Sequence, residues 1–195
     1  MTVEHRDAGN RDWRLRAGEP ADRDALLAIW REQFGVLEGV PEWVDDALGD
    51  PANVEAVVAV DAEDGGGTPI GFAVVALLDP ETVSGYVRGV YPPERFPERT
   101  GVIHLLAVDD EHTDGAVGTA LTRRCMDRAT GETPLMLVLL WRREDRVDSS
   151  VLAEHFDYDE VVRIKGYYRT TREHCPDCGD TCTCDATVHV RALPG

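Results

Sequence analysis

The chain has 195 residues, about the size of one domain, and 43% of them are apolar, which is enough to bury a core. Its 37 acidic residues outnumber the 20 basic ones and give a formal net charge of −17. This charge excludes non-specific binding to nucleic acid or to an acidic membrane, because phosphate surfaces attract basic patches. Asp and Glu are spread along the chain, so the charge belongs to a globular surface and not to a disordered acidic tail.

The shortage of lysine points to the ionic environment of the protein. Lys165 is the only lysine, and the other basic residues are arginines. High salt would screen the self-repulsion of a compact chain with this charge. We therefore predict a halophilic source, with an ordinary acidic protein of a low-salt cell as the alternative.

The sequence contains no stretch of about 18 apolar residues, so it predicts no transmembrane helix. The N-terminal segment MTVEHRDAGNRDW lacks the apolar run of a secretory signal. We therefore expect a cytoplasmic protein. For the oligomeric state, we expect a monomer or a homodimer.

After a flexible segment at residues 1–11, the apolar pattern predicts strands and helices in succession. Leu26, Trp30 and Phe34 recur at the four-residue spacing of an amphipathic helix that begins near Pro20. The other predicted elements are a strand at 12–17, a helix at 41–48, a hairpin within 54–79, strands at 101–108 and 134–141, helices at 115–130 and 147–156, and strands at 159–169 and 186–192.

These elements follow one another in the order β-α-α-β-β-β-α-β-α-β-β, which indicates a mixed α/β (α+β) fold with a central sheet flanked by helices. We expect one domain over residues 12–193. Residues 80–100 are predicted to be a long connection, and connections of that length are usually functional or mobile. A Cys-rich insertion at about 172–186 interrupts the last pair of strands.

The segment HLLAVDDEHTDGAVGTALTRRCMDRA at 104–129 runs from a buried strand through a glycine turn into a helix. Free N–H groups at a helix N-terminus bind anions, and glycine lets a phosphate approach the backbone. The dinucleotide fingerprint G-x-G-x-x-G is absent, since only Gly115 and Gly118 are present. A Walker loop is also excluded, because its lysine is missing.

The chain resembles the GNAT superfamily of acetyl-CoA-dependent N-acetyltransferases over about residues 13–193. In that family the pyrophosphate loop reads [QR]-x-x-G-x-[GA] and continues as I/V-G-x-A-L. The continuation matches Val117 to Leu121, with Gly118 at the last motif position. Ala116 replaces the first glycine and Thr113 replaces Gln or Arg, so the loop is a degenerate match. The resemblance implies a mixed, mostly antiparallel central sheet.

The resemblance also implies where the cosubstrate acetyl-CoA binds. Backbone groups of Leu106, Ala107 and Val108 would hold the pantetheine arm, and one N–H would polarise the thioester carbonyl. Arg123 could meet the phosphates of CoA or could be an ordinary surface charge. The pyrophosphate loop would consist of Thr113, Asp114, Gly115, Ala116, Val117, Gly118 and Thr119.

The tail resembles, more narrowly, that of protein N-terminal and ribosomal-protein alanine acetyltransferases. In those enzymes a Gly-Tyr-Tyr follows the sixth strand, and a D-A run begins the last one. The matching residues here are Gly166-Tyr167-Tyr168 and Asp185-Ala186. The tyrosines can equally be ordinary aromatic residues of the sheet.

Two side chains are the candidates for proton transfer. Related enzymes often carry a Glu four residues before the strand-end valine, and His104 stands at that place. A neutral imidazole is a competent general base, although a buried His in an apolar strand is the alternative. The tyrosine that commonly protonates the leaving thiolate is replaced by Ala153. Tyr158, Ser149, Ser150 or solvent would then supply that proton.

The acceptor side of the family is built from the first two helices and nearby loops. Here Trp30, Phe34, Trp43 and the 80–100 connection would form it. That connection carries three arginines and three aromatic residues, which suggests recognition of a carboxylate-bearing or peptide acceptor. The alternative is that the arginines pair with surface acids. The six residues are Tyr86, Arg88, Tyr91, Arg95, Phe96 and Arg99.

The segment HCPDCGDTCTCDATVH at 174–189 has the spacing of a zinc knuckle. Cys175, Cys178, Cys182 and Cys184 would bind a structural zinc ion, with His174 and His189 as substitutes. Reversible disulfides and an iron–sulfur cluster are the alternatives.

The sequence thus predicts an acetyl-CoA-dependent N-acetyltransferase that acts on a primary amine, either a protein N-terminus or a small molecule, by direct attack in a ternary complex. A non-catalytic CoA-binding or regulatory module of the same fold is the second hypothesis, since the loop is degenerate. The third is an acyltransferase that uses another CoA thioester.

The charge generates the first testable prediction. Raising KCl to molar concentration should raise the melting temperature, because salt screens the repulsion among uncompensated carboxylates. Thermal unfolding followed by circular dichroism across a KCl series measures this. A melting temperature that stays constant or falls would contradict the halophilic interpretation.

Overall fold

A computed structural model describes residues 3–6, 12–36, 39–49, 52–62, 67–113, 116–141, 150–170, 178 and 181–194. Within these residues it contains eight β-strands and five α-helices. The strands are β1 (Val3–Arg6), β2 (Asp12–Ala17), β3 (Val54–Asp61), β4 (Pro69–Leu78), β5 (Thr100–Val108), β6 (Leu135–Trp141), β7 (Asp159–Ile164) and β8 (Ala186–Ala192). The helices are α1 (Arg23–Phe34), α2 (Val40–Gly49), α3 (Pro80–Tyr86), α4 (Ala116–Ala129) and α5 (Ser150–His155).

All eight strands form one sheet in the order β1-β2-β3-β4-β5-β6-β8-β7. The pairing is antiparallel except between β5 and β6, which run parallel. The parallel pair is joined by α4, as a parallel connection requires a crossover element. The predicted fold class, a mixed and mostly antiparallel sheet flanked by helices, is therefore confirmed.

Helices cover both faces of the sheet, and β4 shows how the sequence arranges this. Alternate residues of a strand point to opposite faces. Phe72 and Val74 pack in a cluster with side chains of α1 and α2. Ala73 and Val75 belong to the opposite cluster, which contains the buried face of α4. Both faces of β4 are thus buried, which explains its unbroken apolar sequence.

Two elements were not expected from the sequence. The predicted flexible segment at 1–11 contains β1, which pairs antiparallel with β2, while residues 7–11 lie outside the described part of the chain. Four residues with a single apolar side chain give no strand pattern, so this strand depends on the edge that β2 offers. The helix α3 lies in the predicted connection 80–100, where Asp79 caps its first turn by accepting from the Thr82 N–H at 2.9 Å.

The strand predicted at 159–169 ends earlier, at Ile164. Gly166 adopts the left-handed conformation, with φ of 59°, and turns the chain into a 3₁₀ segment at Tyr167–Thr170. The Gly-Tyr-Tyr motif therefore follows the last strand residue of β7 and is not part of the sheet.

None of the described helices combines the length and the apolar character needed to cross a bilayer.

Candidate active site

The strands β5 and β6 pair over only part of their length. Their parallel ladder joins Gly101 to Met136, Val102 to Leu137 and Ile103 to Val138, and ends there. Both strands continue beyond this point, β5 along β4 and β6 along β8. We call the opening between their ends, from His104 to Val108 on one side and from Leu139 to Trp141 on the other, the β5–β6 gap.

The edge of β5 that faces the gap carries backbone groups suited to binding. The N–H of Asp109 donates to the carbonyl of Ile70, at the end of β4, with an N···O distance of 2.9 Å. Successive residues of a strand direct their N–H and C=O groups to opposite sides. Leu106 and Val108 therefore direct theirs away from β4 and toward the gap. A ligand that lies in the gap can pair with them as a strand would.

The first turn of α4 lies at the end of β5. Among the described residues, a Cβ added to Gly118 would meet only Val108 Cγ2, at 4.0 Å, so these residues leave the space beside it open. Nothing in the packing of α4 therefore requires a glycine here. The open space, together with the partial positive charge of a helix N-terminus, suits an anion.

The predicted binding residues around this turn differ in how exposed their side chains are. Val117 is fully buried, so only its backbone is available, whereas Ala116 and Thr119 are partly exposed. Thr113 is exposed and donates to the carbonyl of Asp110 at 3.0 Å. Asp114 and Gly115 lie outside the described residues. Arg123 is exposed on the next turn of α4, where its guanidinium lies 5.7 Å from the ring of Phe156.

His104 stands at an irregularity of β5. Val74 pairs with Leu105 and Val75 with Ile103, so His104 has no partner on β4 and forms a β-bulge. Bulges redirect side chains and are frequent beside active sites. The imidazole stacks on Trp43 of α2, with ring centroids 3.7 Å apart, and lies 5.2 Å from the ring of Tyr86 on α3. His104 therefore lies on the side of the gap that α2 and α3 cover, the side where Val102 also packs.

The environment of His104 keeps its ring neutral. Burial lowers the pKa of His104 to about 3, because the charged form is desolvated there. Its Nδ1 atom is buried and has no hydrogen-bond partner among the described residues. An unpaired buried nitrogen costs about 1–3 kcal/mol, which a bound hydrogen-bond partner would recover. In the tautomer that carries its proton on Nε2, Nδ1 is the acceptor of the neutral ring.

The comparison with known proteins identifies the family. The model of the acetyltransferase (GNAT) family matches residues 23–150, which is more than half of the chain. The chain belongs to the GNAT acetyltransferase family. No curated protein sequence matches it significantly.

Solved structures share the fold of this GNAT chain at low sequence identity. Arabidopsis thaliana NAA60 in complex with acetyl-CoA is 16% identical, with a TM-score of 0.72 over 94% of this chain and 99% of that chain. The ribosomal-protein-S18-alanine N-acetyltransferase from Escherichia coli is 14% identical, with a TM-score of 0.62 over 100% of this chain and 96% of that chain. A Bacillus subtilis acetyltransferase in complex with CoA is 14% identical, with a TM-score of 0.62 over 92% and 98% of the two chains.

The predicted acid Tyr158 lies in the core of this GNAT domain. Its hydroxyl is buried without a hydrogen-bond partner among the described residues. Burial raises the pKa of Tyr158 above its usual range, and such a phenol is a weak proton donor. Ala153, at the position expected for the tyrosine, is buried and only 4% exposed. These features argue against Tyr158 as the acid; Ser149 lies outside the described residues.

The arginines of the 80–100 connection contact the protein itself. Arg88 lies over the ring of Tyr167, 4.8 Å from its centroid, and donates to the Tyr167 carbonyl. Tyr167 in turn donates its hydroxyl to the carbonyl of Tyr86 at 2.8 Å. Arg99 donates to Asn53 Oδ1 at 2.6 Å and pairs with Glu132 at 3.4 Å. Arg99 thus has the acidic partner that the alternative interpretation expects, whereas Arg88 contacts the ring and the carbonyl of Tyr167.

The described cysteines of the Cys-rich insertion converge in space. The Sγ atoms of Cys178, Cys182 and Cys184 all lie within 4.8 Å of one another. Cys175, the fourth predicted ligand, lies outside the described residues, as does His174. His189 is buried in β8, with its Nε2 atom 3.0 Å from Thr187 Oγ1. The spacing of the cysteines pointed to this cluster correctly, although no metal is thereby shown.

Sequence reasoning did not connect His104 with its aromatic neighbours. Trp43 and Tyr86 were assigned to the acceptor side on their residue type, but nothing in the sequence indicates that both contact the same imidazole. An apolar run such as GVIHLLAV also gives no sign of where a strand loses its register.

The low pKa of His104 generates a prediction about stability. The unfolded chain binds a proton at an ordinary imidazole pKa of about 6.5, whereas the folded chain does so only near 3. Stability should therefore fall as the pH drops below 6.5. The contribution of His104 at pH 5, relative to pH 7, should be a loss of up to about 2 kcal/mol.

Chemical unfolding of the wild type and of His104→Phe at both pH values measures this loss. Phenylalanine preserves the ring that stacks on Trp43 but cannot bind a proton, so the variant should lose less stability. His155→Asn is the control, because His155 is exposed. Equal pH dependence of His104→Phe and wild type would contradict the depressed pKa.

Proposed function

We propose that this chain is an acetyl-CoA-dependent N-acetyltransferase that transfers the acetyl group to a primary amine by direct attack in a ternary complex. The observation that carries the proposal is the β5–β6 gap, where Leu106 and Val108 direct backbone groups into an opening next to α4. Membership of the GNAT family supports it. The complexes of the fold relatives with acetyl-CoA and CoA agree with it.

Acetyl-CoA would enter the gap as a surrogate strand. The amides of its pantetheine arm would pair with the backbone of Leu106 and Val108, and its pyrophosphate would lie on the first turn of α4 at Gly118. One N–H on this edge would donate to the thioester carbonyl. A donor aimed at the oxygen that becomes negative in the transition state is worth about 10²–10³ in rate.

The amine would enter from the side of His104, Trp43 and Tyr86. With a pKa of about 3, His104 could not take a proton from an α-ammonium group with a pKa near 8 without a cost of about 7 kcal/mol. We therefore replace the predicted role of general base with that of hydrogen-bond acceptor. The amine would lose its first proton to water, and the unpaired Nδ1 would accept its remaining N–H and orient the lone pair.

The leaving thiolate of CoA then needs no buried acidic side chain to protonate it. The amine nitrogen attacks the carbonyl carbon and the C–S bond breaks. The second proton that nitrogen loses as the amide forms passes through water to the departing thiolate, which leaves as the thiol of CoA, with a pKa near 8.5. This agrees with the alanine at position 153 and with the burial of Tyr158.

We favour a protein N-terminus as the acceptor over a small-molecule amine. The Gly-Tyr-Tyr and Asp-Ala segments of the tail are similar to those of protein N-terminal acetyltransferases, and Asp185 accepts from the Gly166 N–H at 2.9 Å, which joins the two segments. Two of the fold relatives are NAA60, solved with a bisubstrate analogue, and the S18 alanine acetyltransferase. An extended peptide also fits an entrance lined by flat aromatic rings.

A non-catalytic CoA-binding or regulatory module is the second candidate. The substitutions in the pyrophosphate loop, Thr113 and Ala116, favour it, and so does the missing tyrosine at position 153. It predicts binding of CoA without turnover. Use of another CoA thioester is the third hypothesis, and only the acyl group of the product separates it from the first.

Calorimetry with acetyl-CoA, followed by mass spectrometry of the products, tests the proposal. Peptides with free N-termini, the same peptides with blocked N-termini, and simple amines form the panel, and molar KCl serves as solvent in view of the net charge of −17. Mass is the readout because Cys178 is exposed and would react with thiol reagents. We expect binding, and acetylation of the free N-termini alone.

The outcomes of this experiment separate the hypotheses. Failure to bind acetyl-CoA would overturn the proposal, and binding without product would favour the non-catalytic module. As the pH is lowered, kcat/KM should decrease with the pKa of the acceptor amine, which is near 8 for an α-amine. A decrease with a pKa near 6.5 that is absent in His104→Phe would instead restore His104 as the general base.

The space at Gly118 generates a prediction that separates binding from folding. Gly118→Ala should leave the stability unchanged or raise it by about 0.5–1 kcal/mol, because alanine is the better helix former and its Cβ meets no close neighbour. The same Cβ would occupy the space of the pyrophosphate, so the affinity for acetyl-CoA should fall about tenfold or more.

Thermal unfolding and calorimetry on the same preparations measure both effects. Gly85→Ala is the matched control, because Gly85 also lies in a helix with no atom within 4 Å of an added Cβ. It should leave the affinity for acetyl-CoA unchanged. Unchanged affinity of Gly118→Ala for acetyl-CoA would show that the pyrophosphate does not bind at Gly118.

A further inference from the structure

Asp185 closes the connection between β7 and β8 at its base. It accepts from the Gly166 N–H at 2.9 Å and pairs with Arg163 Nε at 2.7 Å. These bonds join the end of β7 to the start of β8. Of the residues beyond this base, the structure describes 167–170, 178 and 181–184.

The three described thiols of this connection have the separation that a metal ion requires. The distance between the Sγ atoms of Cys178 and Cys184 is 3.3 Å, and all three sulfurs, including that of Cys182, lie within 4.8 Å of one another. Zn–S bonds of about 2.3 Å in a tetrahedron give S···S separations of about 3.8 Å, inside this range. A disulfide needs about 2.05 Å and uses two sulfurs, whereas three converge here.

The cluster also has a defined position on the protein. Cys182 is only 2% exposed and packs against Trp141 at the end of β6, with Phe34 and Cys184 beside them. The ring of Phe34 lies 5.6 Å from that of Trp141 and 4.2 Å from that of Trp30. Cys182 and Cys184 are therefore anchored on α1 and β6, and the exposed Cys178 completes the cluster from the solvent side.

We infer that Cys178, Cys182 and Cys184 bind a Zn(II) ion as thiolates, and that this ion fixes the β7–β8 connection against Trp141 and Phe34. Each coordinating thiol gives its proton to solvent and forms a Zn–S bond, and no electron is transferred. Soft thiolate ligands select Zn(II) over the hard cations Mg²⁺ and Ca²⁺. The site is structural, since its ligands lie together on one short stretch of chain and pack on the core.

Metal analysis of the full-length protein, purified without chelators, tests the inference. We expect about one zinc ion per chain, retained after desalting and released when a mercurial reagent blocks the thiols. Replacement by Co(II) should produce the sulfur-to-cobalt charge-transfer absorption of a tetrahedral thiolate site. No substrate is involved, so the result is independent of whether the protein is an acetyltransferase.

Cysteine variants test whether these residues are the ligands of the metal ion. Cys182→Ser and Cys184→Ser should each lose most of the zinc and lower the melting temperature, while Cys125→Ala should retain it. Cys125 is the matched control, because it is buried in α4, away from the cluster. If a serine variant fails to fold, the cobalt spectrum of the wild-type chain still decides the question.

Three results would overturn the inference. The first is protein that holds no zinc and takes none up when it is incubated with the ion and desalted. The second is iron in place of zinc. The third is unreduced, denatured protein in which Cys178, Cys182 or Cys184 resists alkylation, since that would show a disulfide instead of a metal site.

Discussion

The incomplete pairing of β5 with β6 is the constraint on which the candidate site depends. At the paired end, a Cβ on Gly101 would lie 3.1 Å from Ala129 Cβ and closer still to the side chain of Met136, so strand and helix pack there as tightly as glycine permits. At the open end, Gly118 has no such neighbour. One end of the ladder is therefore fixed by packing, and the other is left free for a ligand.

The bulge at His104 explains how β5 can serve two purposes at once. Beyond the bulge, β5 continues to pair with β4, which satisfies the backbone groups of Leu105 and Ala107. The groups of Leu106 and Val108 are left for the gap. The imidazole stacks on Trp43, on the side of the sheet where Val102 also packs, as the alternation of the strand before the bulge requires. A binding edge and a polar group thus lie side by side on β5.

The proposed cosubstrate is an anion, and the approach to α4 is acidic. Asp109 accepts from the Glu111 N–H at 2.8 Å, and Asp110 accepts from Gln33 Nε2 at 2.8 Å. These neutral donors orient the carboxylates but leave their negative charge in place. The backbone N–H groups of α4 and the exposed Arg123 would then face the phosphates, with salt to screen the rest.

The sequence predicted the order of the main elements because most of them are long apolar runs or regular helical repeats. It did not predict α3, although Asp79-Pro80 is an N-terminal helix signal, because the surrounding prolines and glycines favoured a loop. It could not predict the bulge. In a strand that is buried on both faces nearly every position is apolar, so the pattern does not show which face each residue occupies. The cysteine cluster was predictable from its spacing alone, because its ligands are local in sequence.

The β7–β8 connection touches the acceptor side at two separate places, and this is the reason to regard it as part of the site. Near its start, Tyr167 donates to the carbonyl of Tyr86, whose ring lies 5.2 Å from His104. Near its end, Cys182 packs on Trp141 at the edge of the β5–β6 gap. Tyr167 and Cys182 thus contact the aromatic residues of the proposed site from two sides. An ordered metal site between them would therefore bear on how the acceptor fits, even though no thiolate need touch it.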